Sequence, residues 1–508
     1  MNSKIENPKT AIVLTSILLA VFVVPTSISG TAIAMPFIGA ALSANSTLLQ
    51  WIVNSFNLTF ACFTLLWGAF ADNFGHKRVF IIGATIYTLA SLLSSISISL
   101  LMLDIARGFA GVGGAAIFSC GSAILIKTFS GEKRTKAFAF FGTTAGLGIT
   151  FGPTISGFLL ELFNWRAIFI LHSVVLTVVL FMTPAITKDS PNKRQYPFDK
   201  MGATIFTITL FLLMFLISDS NERGGLNSRT LILLGIIILL GGIFVIYEKS
   251  ITNPVFDLNL LKNKKYMGLI LVPVVASFSF VTLLTYYPSY LTGAMQFSSA
   301  YTGIIMITLT VPVLICPLLA GKLVSYGIPA TSLIIISLAL MILGGVLLFL
   351  VGGVDGLLYL ICLALFMIGV GMGLTAGLID GLALSCVEPH QTGMAAGFLN
   401  TLRLGSEAIA VALYGSLLTA NLNSILPNYL IKYSSSVEVI NSWINSVASG
   451  NLTFPLSNIP TNRRPIMLNE IIASYHNAFN NTLIILTIIS ATICSFCLWF
   501  MKRKESFH

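Results

Sequence analysis

The chain has 508 residues, of which 56% are hydrophobic and 9% charged, with a mean hydropathy of +0.92. So few charges cannot solvate the surface of a soluble chain this long, which excludes a water-soluble globular class. The net charge of +10 does not point to nucleic acid either, because the basic residues are distributed by topology rather than gathered in a patch.

Crossing a bilayer by helix takes about 20 mainly apolar residues. Such segments are predicted at 11–34, 48–71, 79–97, 100–126, 137–160, 167–186, 202–218, 230–247, 267–292, 301–320, 331–351, 357–384, 394–419 and 482–501. The even number places both termini on one side. Only Arg166, Arg223, Arg229, Lys432, Arg463 and Arg464 fall in predicted outer segments, and Arg107 and Arg403 fall inside helices. The remaining Lys and Arg crowd the other side, the positive-inside bias of a protein with both ends in the cytoplasm. The first apolar stretch shows no clear small-residue cleavage site and reads as a retained helix.

After helix 2 the chain reads Gly68-Ala-Phe-Ala-Asp72-Asn-Phe-Gly75-His-Lys77-Arg78, a short charged turn between apolar helices. Asp72 and the Lys77–Arg78 pair can lie at adjoining helix ends while Gly68 and Gly75 let the backbones close up. A charge cluster at a helix boundary can hold one conformation and be released in another; the alternative is an ordinary topology loop. Arg107, with small neighbours, lies about two turns into helix 4. It either serves a water-filled cavity or is a structural Arg bonded to carbonyls. In helix 5, Gly148 and Gly152 form a smooth strip, Pro153 favours a kink and Gly157 follows. A tight helix crossing and a bending element at the boundary between two halves both fit.

Helices 7 and 8 are predicted to be short and to sit between two sets of six. The simplest organisation is a six-helix bundle over 1–200, an inserted hairpin over 201–250 and a second bundle over 251–508. Gly321-Lys322-Leu323 and Gly327 after helix 10 faintly repeat 68–78, as parallel repeats would. Burying an ionisable group in the membrane costs roughly 2.5–3.5 kcal/mol on insertion scales, which singles out Asp380, Arg403 and Glu407 beside Arg107. Arg403 and Glu407 are four apart and share a face, either as a formed ion pair or with Glu407 exchanging a proton that Arg403 tunes. Asp380 follows the run Gly369-Val-Gly371-Met-Gly373 and lies near the cytoplasmic end, where water can reach it. The stretch 420–481, rich in Asn and Ser, with Trp443, Pro455 and Pro460, is expected to be an outer loop forming a partly ordered cap. The Asn-x-Ser/Thr triplets at Asn45, Asn451 and Asn480 do not establish glycosylation.

All seven cysteines (Cys62, Cys120, Cys316, Cys362, Cys386, Cys494 and Cys497) fall in or at the ends of apolar segments, so no structural disulfide is expected. The CxxC at Cys494 and Cys497 lacks partner ligands and reads as apolar filling. The histidines are scattered, and no metal cluster, phosphate-cradling loop or nucleophile triad is visible; an enzyme has no positive support.

On these residues the chain resembles the major facilitator superfamily, and within it the fourteen-helix drug:proton antiporter branch. Residues 68–78 match the family's loop after helix 2, with Asn73 where a base is usual. Leu103–Gly111 matches the helix-4 motif centred on Arg107. Gly148–Gly157 resembles the antiporter motif GxxxGPxxGG, with Ser156 replacing one glycine. Gln50-Trp51 and Asn164-Trp165-Arg166 also look like this branch. The resemblance implies an all-α polytopic fold of two six-helix bundles plus two central helices, with one cavity reached alternately from each side. It implies a monomeric secondary transporter, not an enzyme, that exports drugs or other amphipathic or cationic compounds across a bacterial inner membrane against proton entry. No cofactor, metal or ATP site is implied. Trp51, Phe56, Tyr286 and Tyr287 are candidates for the cavity lining, with packing as the alternative. Two departures stand out. Ser27 occupies the place where this branch often has an acid in helix 1, and Glu407 stands where glycine is usual, so proton coupling is expected in the second half. A carrier of one metabolite, such as a siderophore or natural product, is the nearest competitor; a non-transporting receptor is the alternative from another class.

Overall fold

A computed structural model describes residues 8–42, 49, 51–187, 199–223, 228–252, 254–351, 357–430, 437–448, 452 and 463–502. The expectations for both termini, Gln50, Asn45, Asn451, Pro455, Pro460 and the connections at 188–198 and 352–356 lie outside these residues. Among the described residues fourteen helices are long and apolar enough to cross a membrane, and there is no strand.

In the first half they are α1 (Pro8–Leu42), α2 (Trp51–Phe74), α3 (His76–Ser95), α4 (Leu100–Thr128), α5 (Gly131–Leu162) and α6 (Arg166–Met182). The central pair is α7 (Lys200–Arg223) and α8 (Ser228–Ser250). The second half holds α9 (Lys264–Gly293), α10 (Ser299–Ser325), α11 (Ala330–Val351), α12 (Leu358–Ser385), α13 (Thr392–Ile425) and α14 (Arg464–Lys502). Helices α1–α6 pack among themselves, as do α9–α14. The two bundles meet along α2 against α13 and α5 against α10, and the α7–α8 hairpin lies against α2 and α13.

Three elements differ from the sequence expectation. Helices α7 and α8 are 24 and 23 residues long, not shortened, because hydrophobicity marks the bilayer and not where helical hydrogen bonding stops. Much of the expected 420–481 loop is helical. Helix α13 continues to Ile425, α14 begins at Arg464, and between them lies an amphipathic helix, Val437–Ala448. Its Ile440, Trp443, Ile444 and Val447 are buried in one cluster with Leu418, Leu422, Met467 and Ile471. Finally, α9 and α12 are interrupted. A π turn occupies Ser277–Val281 of α9, and α12 breaks at Gly377, whose φ of 79° suits a residue without Cβ.

Packing within the bundles rests on glycine. A Cβ on Gly152 would overlap Ser29 Oγ, and one on Gly148 would lie 2.6 Å from Pro25 and 2.8 Å from the Phe22 carbonyl. Ser29 Oγ also donates to the Gly148 carbonyl at 3.2 Å. The Gly148–Gly152 strip is thus a seam between α1 and α5 inside the first bundle; Gly157 has no neighbour within 4 Å at its Cβ position. The face of α5 turned to the second bundle carries Gly142, against Ala376, and Gly146, against Val313. The Gly369–Gly373 run serves close packing: Gly369 and Gly373 sit on the Leu309 and Pro312 carbonyls of α10, and Gly371 on α11.

Candidate functional site

The end of the molecule that carries the basic connections is shut. Gly68 of α2 and Gly393 of α13 touch so closely that a Cβ on Gly68 would overlap the Gly393 carbonyl. One turn on, a Cβ on Gly397 would lie 2.6 Å from Leu65 Cα. Thr401 Oγ1 donates to the Ala61 carbonyl at 3.2 Å, and Ser119 Oγ to the Gly393 carbonyl at 3.4 Å. On the other side of the seam, Gly377 of α12 meets the Phe138 carbonyl of α5, and Gly321 of α10 meets Ala139. Towards the opposite end, among the described residues, nothing lies within 4 Å of the Cβ positions of Gly157 in α5 and Gly303 in α10, while Gly415 of α13 meets Tyr286 of its own half.

Asp72 fastens the shut end. Its side chain is 2% exposed, and its carboxylate accepts hydrogen bonds from the backbone N–H groups of Gly393 (2.9 Å) and Met394 (2.7 Å). These are orphan donors of the first turn of α13, where the helix dipole also favours an anion. His76 Nε2 lies 3.2 Å from the same carboxylate, and its Nδ1 is 2.8 Å from Lys127 Nζ. The two basic residues of the turn go elsewhere. Lys77 donates to the Ile186 carbonyl at 2.5 Å beyond the end of α6, and Arg78 is exposed. Gly75 has a φ of 97°, which makes the sharp α2–α3 turn possible. The expected charge-to-charge clasp is therefore replaced by a carboxylate on a helix N-terminus of the other half. Sequence reasoning missed Gly393, Met394 and Gly377, although Gly393-Met-Ala-Ala-Gly397 is a small-residue pattern that could have flagged the crossing.

Arg107 is 1% exposed. Its Nη1 donates to Ser27 Oγ at 2.7 Å and its Nε to the Ile52 carbonyl at 3.2 Å, while the guanidinium stacks 4.5 Å from the Phe56 ring. Among the described residues neither ring nitrogen of the neighbouring His172 has a hydrogen-bond partner. Arg107 thus faces a hydroxyl at the very position where the resemblance leads one to expect an acid.

In the second half Arg403 does not pair with Glu407. Its Nη2 lies 2.9 Å from Asp380 Oδ2, and its Nη1 donates to Asn400 Oδ1 at 2.9 Å. The α12 carboxylate takes the guanidinium, so Asp380 is held by protein rather than by water, with only 4% of its side chain exposed. Glu407, one turn further along α13, is half-buried and makes no ion pair among the described residues. Below it, Ser406 Oγ bonds Ser277 Oγ of the π turn at 2.8 Å.

The four aromatic residues expected to line a cavity separate into two pairs. Phe56 and Tyr287 are 0% and 1% exposed and pack inside their own bundles, because each fills a gap between neighbouring helices. Trp51 and Tyr286 remain partly exposed. Trp51 lies 6.1 Å from Phe215 of α7, and Tyr286 stacks on Tyr414 at 4.3 Å and donates to the Val411 carbonyl.

The family model for the Major Facilitator Superfamily matches residues 17–411. The chain belongs to that superfamily. Multidrug resistance protein Stp of Mycobacterium tuberculosis is 28% identical over 399 residues, 78% of this chain and 74% of that protein. Riboflavin transporter RibZ of Clostridioides difficile is 29% identical over 437 residues, 85% of this chain and 92% of that one. Multidrug transporter protein MdtP of Bacillus subtilis is 23% identical over 440 residues, 86% of this chain and 80% of its own length. Among solved structures, the proton:xylose symporter XylE superposes with a TM-score of 0.58 at 13% identity, covering 96% of this chain and 97% of that one. That likeness shows the shared superfamily fold. The protein is a membrane-embedded transporter, not an enzyme.

Proposed function

We propose that this superfamily member exports organic compounds, drugs or other amphipathic and cationic molecules, in exchange for protons. It works as a monomer with no cofactor beyond the proton gradient, in a bacterial inner membrane with the basic end and both termini in the cytoplasm. The observation that carries the coupling is Glu407, a carboxylate in the middle of a spanning helix whose neighbouring Arg403 is already engaged by Asp380. Among the described residues this carboxylate has no ion pair to explain its place at that depth, which suits it to take up and release a proton. The shut basic end and the open space beside Gly157 and Gly303 towards the other end fit one state of an alternating-access cycle. Asp72, Gly68 and Gly75 act as its gate, Gly148, Gly152 and Pro153 as a rigid seam, and Trp51 and Tyr286 line the route.

The names of Stp and MdtP support a broad specificity. That of RibZ, matched over 92% of its own length, supports the second reading, a carrier of a single metabolite. The test is a proton-gradient assay in everted membrane vesicles challenged with lipophilic cations, riboflavin and other metabolites, with Glu407→Gln run beside wild type. Substrate-induced proton release in wild type alone is expected. Release that survives Glu407→Gln over pH 6 to 8 overturns the assignment of Glu407, and the compound that elicits release decides between broad and single-substrate transport.

A further inference from the structure

The central hairpin carries two carboxylates that the transport reading does not use. Asp199 stands just before α7, and its Oδ1 accepts from the N–H groups of Met201 (3.1 Å) and Gly202 (2.9 Å) and from the Tyr247 hydroxyl (3.2 Å). Glu248, in the last turn of α8, is 3% exposed, and its Oε2 accepts from the Phe256 N–H at 3.4 Å. Each carboxylate therefore has one oxygen satisfied and one bare. Among the described residues Asp199 Oδ2 and Glu248 Oε1, both buried, have no hydrogen-bond partner.

The bare oxygens face the same place. Both lie within 2.5 Å of the point where a Cβ on Gly202 would sit, so they are no more than 5 Å apart. Only a glycine lets α7 approach them. Among the described residues no Lys or Arg nitrogen comes within 4.0 Å of either, and the adjacent Lys200 and Lys249 are exposed. Two carboxylate oxygens at this separation, turned on one another and shielded from solvent, need positive charge between them. An oxygen-only pair of this span matches a hard divalent cation, since Mg2+ is held through one or two carboxylates at 2.0–2.1 Å and keeps several waters, whereas Ca2+ asks for six to eight ligands.

We propose that Asp199 and Glu248 bind a divalent metal ion, Mg2+ by ligand number, at the basic end of the α7–α8 hairpin. The ion ties the first turn of α7 to the last turn of α8 and to the segment after it. That segment reaches the gate: Asp257 accepts from Gln391 Nε2 at 3.1 Å, immediately before the turn of α13 that Asp72 caps. Occupancy would thus stiffen the hairpin where it meets the closed end.

The test uses the full-length protein in detergent, stripped with EDTA and titrated with Mn2+ as the probe, bound ion being read by electron paramagnetic resonance. One Mn2+ per chain, displaced by excess Mg2+, is expected. Affinity should fall at least tenfold in Asp199→Asn, which keeps the cap acceptor, and in Glu248→Gln. Gly202→Ala, which retains both carboxylates but fills the space between them, should weaken binding as well and stands in if either charge variant fails to fold. Absence of stoichiometric Mn2+ binding in folded wild type, or binding unchanged in these variants, overturns the proposal, and the pair then shares a proton.

Discussion

Replacing Asp72 by Ala should unlatch the basic end. The substitution removes two hydrogen bonds, of 2.9 and 2.7 Å, from the first turn of α13. It also removes the anion from that helix N-terminus and from beside His76 Nε2. Losing an N-cap acceptor costs about 0.5–2 kcal/mol, and losing charge at a partly buried helix end costs up to ~2 kcal/mol. Because these contacts cross from one bundle to the other, the loss falls on the closed arrangement rather than on either bundle. A net penalty of about 1–3 kcal/mol shifts the balance of closed and open forms by roughly 5- to 150-fold. Asp72→Asn keeps one acceptor oxygen and should shift it less. Spin labels at the exposed Lys133 and Lys322, in a background lacking the partly exposed Cys362 and Cys386, report the separation of α5 and α10 at this end. Double electron–electron resonance should show a longer-distance population in Asp72→Ala. A distribution identical to wild type in the same bilayer would refute the latch.

Two further outcomes follow from the packing and the buried pair. Gly377→Ala, which places a Cβ at a φ of 79° and against the Phe138 carbonyl, should lower the thermal midpoint through at least ~1–2 kcal/mol of strain. Gly235→Ala, whose Cβ meets nothing within 4 Å, should leave the midpoint unchanged or raise it, and equal effects of the two would contradict the packing argument. Breaking the Asp380–Arg403 pair from one side should cost up to about 3–5 kcal/mol, reduced because 22% of the Arg403 side chain reaches solvent. Asp380→Asn and Arg403→Gln together should cost less than their sum in a double-mutant cycle, and simple additivity would show that the 2.9 Å contact carries no coupling.

The fourteen spans were legible because each is an apolar run long enough for the bilayer, and the superfamily because its motifs survive in Gly68–Arg78, Leu103–Gly111 and Gly148–Gly157. What remained hidden was pairing across long separations. Nothing near Asp72 announces that its partners are the peptide N–H groups of Gly393 and Met394, since backbone donors are the same in every residue. The Arg403–Glu407 spacing suggested a local pair because both sit on one face, but a carboxylate from α12 competes for the guanidinium and local periodicity cannot see it. The 420–481 stretch read as loop because it is polar, yet a helix outside the bilayer needs only one apolar stripe, here Ile440, Trp443, Ile444 and Val447.

Helix α14, with 39 residues, is about 58 Å long, nearly twice the ~30 Å hydrocarbon core. Its first turns therefore stand clear of the lipid beside the end of α13, and Val437–Ala448 is clamped onto both. Since all three belong to one half, this projection moves with that half alone. A nanobody raised against it would add a rigid landmark outside the micelle for image alignment in electron microscopy. Because it would grip only one of the two rocking bodies, it would hold neither conformation in place.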